Sequence, residues 1–183
     1  MDLLRKGRAR TEFERFAAVH ADALLRSAYL MAGDRGEAED LVQECLLRLA
    51  RKWPRVRSMD QPGAYARRVL FNLILDGGRQ RTRRRTELLA DHATDGHGGA
   101  EQTTAALEAH VDLVQALGGL PPRQRAVLVL RYYADLPASE VALILDCSPG
   151  TVKSSTSRAL ERLRQTLHSQ PEPLSTADDT SAT

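Results

Sequence analysis

The sequence is poor in aromatic residues and in cysteine. Phe, Trp and Tyr make up 4% of the 183 residues, so a hydrophobic core has to be built mainly from aliphatic side chains. The two cysteines, Cys45 and Cys147, lie far apart, each within a stretch of helical periodicity. This spacing argues against a disulfide framework and against a Cys-x-x-Cys metal site, and it favours a reducing compartment.

Long apolar runs and enzyme motifs are missing as well. No apolar run approaches the length of a membrane span, and the N-terminal MDLLRKGRAR has no apolar stretch long enough for a secretory signal. The five histidines show no metal-ligand spacing, and no glycine-rich phosphate loop follows a strand pattern. We therefore expect a soluble, cytoplasmic protein that inserts into no membrane, needs no cofactor and is not an enzyme.

Charge is segregated along the chain although the net charge is only +2. Residues 1–85 carry 19 Lys and Arg against 11 Asp and Glu, whereas residues 86–118 carry 6 acidic residues and no Lys or Arg. Residues 119–168 are basic again, with 7 Lys and Arg against 4 Asp and Glu. Two basic blocks separated by an acidic segment indicate two modules that face anionic partners, with a solvated spacer between them.

The first basic block predicts three helices. Apolar residues at helical spacing run from Glu12 to Met31, and Gly33 and Gly36 then break the pattern. The cleanest period follows, over Ala38, Leu41, Val42, Cys45, Leu46 and Leu49. A third helix is expected to begin after Pro62, and Gly77-Gly78 is expected to weaken or end it, since each glycine costs about 1 kcal/mol relative to alanine in a helix interior.

The second basic block predicts shorter helices after a linker. Residues 86–104 are rich in Gly, Asp and Thr and have no lasting period, which is typical of a linker. Helices are expected over residues 105–117, 123–133, 138–145 and 149–167, and the tail after them has the composition of a disordered segment. No strand alternation is present. We predict an all-α protein of two small helical domains joined by a flexible linker.

The stretch CSPGTVKSSTSR, from Cys147 to Arg158, predicts a helix that begins with hydroxyl side chains and then becomes basic. Ser148 is the expected N-cap, and Pro149 suits the first helical position. Together with the preceding ASEVALIL it forms a helix-turn-helix pattern, in which the second helix enters a DNA major groove. Hydroxyls, Lys and Arg suit base edges and phosphates. The alternative is an ordinary helical hairpin with a solvated basic face.

Two further surfaces lie in the first block. The second helix carries a polar stripe opposite its apolar stripe, with acidic and amide side chains and one leucine: Asp40, Gln43, Glu44 and Leu47. Such a stripe suits a basic surface on another protein. The alternative is a plain solvated helix face. The third helix and the arginines after it, with Trp53 nearby in sequence, suit the phosphates and unstacked bases of an opened strand. Alternatively, the arginines are solvated, and the two aromatic residues of the third helix, Tyr65 and Phe71, belong to the core.

Taken in order, three stretches resemble an extracytoplasmic-function sigma factor of bacterial RNA polymerase: GDRGEAEDLVQECLLRLARKW, PGAYARRVLFNLILD followed by arginines, and LPPRQRAVLVLRYYADLPASEVALILDCSPGTVKSSTSRALERLR. The resemblance implies a sigma-2 domain that binds core polymerase and the −10 element and a sigma-4 domain that binds the −35 element. The implied division is an N-terminal extension 1–11, sigma-2 12–85, a linker leading into the first sigma-4 helix 86–118, sigma-4 119–167 and a disordered tail 168–183.

The resemblance also implies roles for individual residues. On the clamp coiled coil of the polymerase it places Asp40, Gln43, Glu44 and Leu47. At the −10 element, which is melted and read on the non-template strand, it places Trp53, Arg55, Arg57, Arg68, Asn72, Asp76 and Arg79. At the −35 element it places Thr151, Lys153, Ser154, Ser157, Arg158 and Arg162. Three features depart from the family pattern: Gly77-Gly78 replaces bulkier or basic residues, Pro137 replaces a common capping Ser, and Ser155 replaces a common Arg.

The implied function is promoter-specific initiation of transcription by binding, not by catalysis. The implied partners are core RNA polymerase, through its clamp coiled coil and its flap, promoter DNA, and an anti-sigma factor that the family rather than any residue indicates. A free-standing helix-turn-helix repressor or activator, which binds a palindrome without polymerase, is the main alternative. An RNA-binding protein that uses the arginine run is the third hypothesis.

Overall fold

The computed structural model describes residues 2–88 and 113–168, with side chains described within residues 7–77 and 113–166. Every regular element in these two ranges is a helix, which confirms the all-α prediction. The expected linker beyond residue 88, the first part of the helix expected over residues 105–117, and the expected tail from residue 169 lie outside the described residues.

Four helices make up the first block: α1 Asp2–Ala32, α2 Arg35–Arg51, α3 Trp53–Val56 and α4 Pro62–Leu88. The N-terminal extension is helical too, so the prediction of a helix that begins near Glu12 was wrong by ten residues. Two ion pairs one turn apart, Arg8 with Glu12 and Arg10 with Glu14, stabilise that added part of α1.

The turn between α1 and α2 follows the sequence prediction. Gly33 has a φ of +78°, in the left-handed region where glycine is favoured, and its N–H donates to the Tyr29 carbonyl. Asp34 then caps α2, because its carboxylate accepts a hydrogen bond of 2.7 Å from the Glu37 backbone N–H. Gly33 therefore ends α1, and Asp34 begins α2.

Gly77-Gly78 is expected to weaken or end the third helix, and the helix does not end there, because α4 runs through both glycines to Leu88. The residues before them are held by packing, since Phe71 is fully buried and Ile74 and Leu75 pack on the core. The residues after them are mostly Arg and Gln, which are good helix formers. Tertiary contacts and these flanking residues outweigh the propensity of two glycines.

The core of the first block is aliphatic around one tryptophan. Leu24, Cys45, Leu49 and Leu70 come from three helices and meet inside the bundle. Cys45 lies on the apolar stripe that the sequence predicts for α2, and it is a small core residue: it is fully buried, and burial raises its pKa to about 12. Trp53 closes one end, with its ring centroid 5.3 Å from that of Phe13.

In the structure the second block extends to the described residues 113–168. It contains α5 over residues 113–118, α6 Pro122–Leu128, a π turn Val129–Tyr133, α7 Ala138–Leu145 and α8 Pro149–His168. The single helix expected over residues 123–133 therefore changes geometry at Val129, where the Ala134 N–H donates to the Val129 carbonyl five residues earlier. The wide turn lets both Val129 and Leu130 point into the core. Asp146, with a φ of 51°, ends α7.

The two blocks share a core in this structure. Leu30, Met31 and Phe71 of the first block lie in one hydrophobic cluster with Leu117, Ala142, Leu145 and other residues of the second. Arg125 adds a polar contact, because its guanidinium donates to the Met31 carbonyl at 2.5 Å and to the Gly118 carbonyl at 2.7 Å. Arg125 thus links the end of α1 to the start of the second block by hydrogen bonds.

Candidate nucleic-acid and protein interfaces

The outward face of α8 is assembled as the sequence predicts. The Ser148 hydroxyl accepts a hydrogen bond of 3.1 Å from the Thr151 backbone N–H, which confirms the N-cap. Val152 and Ala159 are fully buried against the block. All six residues predicted to meet DNA are exposed, namely Thr151, Lys153, Ser154, Ser157, Arg158 and Arg162.

The cations of this face are available to a partner. Within the described part of the chain, Lys153, Arg158 and Arg162 form no ion pair, whereas Arg164 on another side of α8 lies 3.6 Å from Glu161. The hydroxyl of Ser154 donates to the Thr151 carbonyl, which leaves its oxygen lone pairs for a donor from outside. The face therefore offers both hydrogen-bonding groups and uncompensated positive charge.

The outward face of α2 carries the opposite sign. Asp40 and Gln43 are exposed, and Leu47 keeps 46% of its surface exposed, which is high for a leucine. Glu44 is half-buried, and its carboxylate accepts a hydrogen bond of 2.7 Å from Arg48. Asp40 forms no ion pair with the described residues, so it carries the uncompensated charge of the stripe.

The residues predicted to contact the −10 element lie in different environments in the structure. Trp53 is only 6% exposed, and its ring packs on Phe13 and Phe16 at centroid distances of 5.3 and 5.0 Å. An indole ring enclosed in this way has no face left for a DNA base, so the prediction that Trp53 contacts DNA is corrected: Trp53 is a core residue. Phe71 is buried as well, as the alternative interpretation stated.

Arg57 is occupied by a partner that sequence reasoning missed. Its guanidinium donates to the Glu12 carboxylate at 2.7 Å, and Arg8 donates to the other oxygen of that carboxylate at 3.2 Å. The hydrogen bond from Arg57 is the main cause that holds the pKa of Glu12 below its ordinary value. Glu12 and Arg57 lie 45 residues apart, so no local pattern connects them.

Three of the remaining predicted residues share one face of α4. Arg68, Asn72 and Asp76 follow one another at four-residue spacing and are all exposed. Arg55, on the short α3, is exposed too. The side chain of Arg79 lies outside the described residues. The face of α4 therefore combines a cation, an amide and a carboxylate in a row.

Neither a membrane span nor a metal cluster is found where the structure describes the chain. No described helix is long and apolar enough to cross a bilayer. No group of three or more His, Cys, Asp and Glu side chains in residues 2–88 and 113–168 is arranged to hold a metal ion.

Comparison with known proteins matches both blocks. The model of sigma-70 region 2 matches residues 16–84, and the model of sigma-70 region 4 matches residues 110–163. The chain is 37% identical over 164 residues to the RNA polymerase sigma-E factor of Streptomyces avermitilis, with 87% of each chain covered. It is 35% identical over 157 residues to the ECF RNA polymerase sigma factor SigL of Mycobacterium tuberculosis, with 81% of this chain and 84% of that protein covered.

Solved structures show the same fold. The sigma factor RpoE in complex with the anti-sigma factor NepR from Bartonella quintana matches with a TM-score of 0.69 and 24% identity, over 87% of this chain and 99% of that one. CnrH in complex with the cytosolic domain of CnrY matches with a TM-score of 0.63 and 21% identity, over 88% of this chain and 91% of that one.

Proposed function

Because this chain belongs to the extracytoplasmic-function sigma factors of bacterial RNA polymerase, we propose that its three outward faces divide the work of promoter selection. The protein is an RNA polymerase sigma factor that directs transcription initiation, and its partners are the polymerase core and promoter DNA. The interpretation made from the sequence motifs is thereby confirmed. The alternative of a free-standing repressor or activator is not favoured, since region 2 is present beside the helix-turn-helix.

The observation that carries the proposal is the outward face of α8. Its first turns present Thr151 and Ser154 and its next turn presents Arg158, all exposed, while the opposite face is fixed in the core by Val152 and Ala159. A helix held in this way can lie in the major groove of the −35 element with its N-terminal residues at the base edges. Arg162, one turn beyond Arg158, is proposed to contact a phosphate of the DNA backbone.

The α2 stripe is proposed as the contact to core polymerase. Asp40 supplies an uncompensated negative charge, and the exposed Leu47 supplies apolar area at the other end of the stripe. Charge complementarity then orients the protein on the polymerase and raises the association rate, while burial of Leu47 adds to the affinity. A basic surface on the clamp coiled coil is the partner that fits this stripe.

The −10 element is proposed to meet the exposed face of α4. Arg68, Asn72 and Asp76 lie in one row, and Arg55 and Arg79 remain predicted contacts from the flanking segments. Trp53 is left out of this set because it is buried. Arg57 is proposed to act through Glu12, which holds the segment between α3 and α4 against α1.

We further propose that the protein acts by binding rather than by catalysis and that it works in the cytoplasm, where the polymerase is found. An anti-sigma factor is proposed as a regulatory partner, since RpoE and CnrH, which share this fold, were both solved in complexes, RpoE with an anti-sigma factor and CnrH with the cytosolic domain of CnrY. The flap of the polymerase is proposed as the surface that receives the second block.

The test is run-off transcription from genomic fragments with purified core polymerase, with and without this protein. We expect specific transcripts only when the protein is added, and the mapped start sites would give the promoter sequences. Tight binding of a palindrome by the protein alone, together with no transcripts, would contradict the proposal and support a free-standing regulator.

A further inference from the structure

A cavity of about 350 Å³ lies where the middle of α1, the start of α4 and the end of the π turn meet. Its lining includes His20, Arg26, Ser27, Gly63, Arg67 and Tyr133. The first five belong to the first block and Tyr133 belongs to the second, so both blocks form its walls. None of the proposed promoter or polymerase contacts lines it.

The lining of this cavity is positively charged without a counter-ion. It includes two arginines and a histidine, and it includes no acidic residue. The Nε atom of Arg67 is buried and has no hydrogen-bond partner. Neither Arg26 nor Arg67 forms an ion pair with any described residue. Arg26 is exposed and Arg67 is half-buried, so the buried group without a partner is the Nε–H of Arg67. Buried polar groups in proteins are ordinarily hydrogen-bonded, so this donor lacks an acceptor.

His20 is held beside these arginines by close packing. A Cβ atom added to Gly63 would lie 2.9 Å from Cε1 of His20, so the glycine is what lets the imidazole lie against the start of α4. Burial lowers the pKa of His20, and the positive charge of Arg67 lowers it further. A neutral imidazole still offers one N–H to an anion.

We propose that this cavity binds a small phosphorylated molecule, with its phosphate between Arg26 and Arg67 and with the imidazole of His20 as a further donor. Guanidinium groups bind phosphate oxygens through paired N–H donors, which gives both strength and geometry. The volume lies at the lower end of the range of small-molecule pockets, about 300–1,000 Å³. It exceeds what one inorganic phosphate fills, and this leaves room for an organic group beside Tyr133.

The ligand would also favour the docked arrangement of the two blocks. Tyr133 completes the cavity only while the second block lies on the first, so the ligand binds this arrangement more tightly than separated blocks and raises its population. The effect on transcription rests on the proposed function, because polymerase would compete with docking. The binding step itself does not rest on it.

The experiment is isothermal titration calorimetry on the full chain with inorganic phosphate, pyrophosphate and adenosine 5′-monophosphate, at constant ionic strength. We expect saturable binding of at least one of the three and about tenfold or more weaker binding by R67Q and R26Q, since each removes a charge-assisted hydrogen bond. The matched control is R15Q, because Arg15 is exposed on α1, the helix that carries Arg26, and does not line the cavity. R15Q should bind as the unmodified chain does.

Two results would overturn the proposal. One is the absence of saturable binding of all three compounds at millimolar concentrations, and the other is equal affinity in R67Q, R26Q and the unmodified chain. Because R67Q alters a half-buried residue, circular dichroism checks its fold, and R26Q at an exposed position keeps the test valid if R67Q unfolds. If single-stranded promoter DNA alone binds and R67Q loses it, Arg67 belongs to the −10 surface and the cavity proposal is wrong.

The coupling to docking has its own measurement. Fluorophores at Val19 and Leu143, which are 74% and 70% exposed and lie in different blocks, report their separation by energy transfer in a C147S background. The binding compound should raise the transfer efficiency, and R67Q should abolish the rise. Binding with no change in transfer would overturn the coupling.

Discussion

The two helices α2 and α8 are built alike and present opposite chemistry. Each buries an apolar stripe, with Cys45 and Leu49 on α2 and with Val152 and Ala159 on α8. The outward face of α2 is acidic with an exposed leucine, whereas that of α8 is hydroxyl-rich and basic. The buried side of an amphipathic helix thus decides where it lies in the fold, while the charge of the outward side favours the proposed partners, a basic protein surface on α2 and DNA on α8.

Trp53 tests the part of this comparison that concerns the buried side. W53A should lower the free energy of unfolding by about 3–5 kcal/mol, because the ring is enclosed between Phe13 and Phe16 in the core. Urea denaturation followed by circular dichroism measures this. Unchanged stability together with lost promoter binding would contradict the core assignment and restore Trp53 to the DNA surface.

Asp40 tests the outward side of α2. D40R should weaken binding to core polymerase about 100-fold or more, because a like charge then faces a basic partner, with no change in helicity. Pull-down and fluorescence anisotropy with purified core measure it. The control is E39R, which makes the same charge change one residue away, off the stripe. An equal loss in both variants would show a general charge effect rather than a docking stripe.

Arg158 tests the outward side of α8. R158A should cost about 1–3 kcal/mol of discrimination between the cognate −35 element and a mutated one, while core binding stays unchanged. Electrophoretic mobility shifts of the polymerase complex on both DNAs measure this. R164A is the control, since Arg164 lies on the same helix outside the predicted set. Equal weakening on both DNAs would make Arg158 a phosphate contact.

Glu12 and Arg57 give the smallest expected effect. E12Q and R57Q should each weaken binding of the −10 non-template strand modestly, since exposed ion pairs contribute little. The charge exchange E12R with R57E should restore part of the binding, because the pair re-forms while the new arginine also faces Arg8. Binding of a single-stranded oligonucleotide by the polymerase complex measures this, with E14Q as the control on α1. Stronger binding by E12Q, with no recovery in the exchange, would show that Arg57 contacts DNA directly.

The sequence predicts features that depend on neighbouring residues and misses those that depend on distant ones. The Ser148 cap and the buried stripe of α2 follow from local patterns, and both are confirmed. The environment of Trp53, the Arg57 contact to Glu12 and the cavity at His20 depend on side chains from other helices, and no periodicity encodes these. The continuation of α4 through Gly77 belongs with them in part, because the packing of Phe71, Ile74 and Leu75 helps to outweigh the low helix propensity of the glycines.

The hydrogen bond that joins Arg125 to the end of α1 bears on the distance between the two DNA elements that the blocks can contact. By their names, the −35 and −10 elements lie about 25 base pairs apart, which is about 85 Å of B-form DNA at 3.4 Å per base pair. The longest described helix, α1 with 31 residues, spans about 46 Å. We therefore expect the two blocks to separate when they bind the two elements, and binding to polymerase and promoter would then expose the hydrophobic cluster that the blocks share.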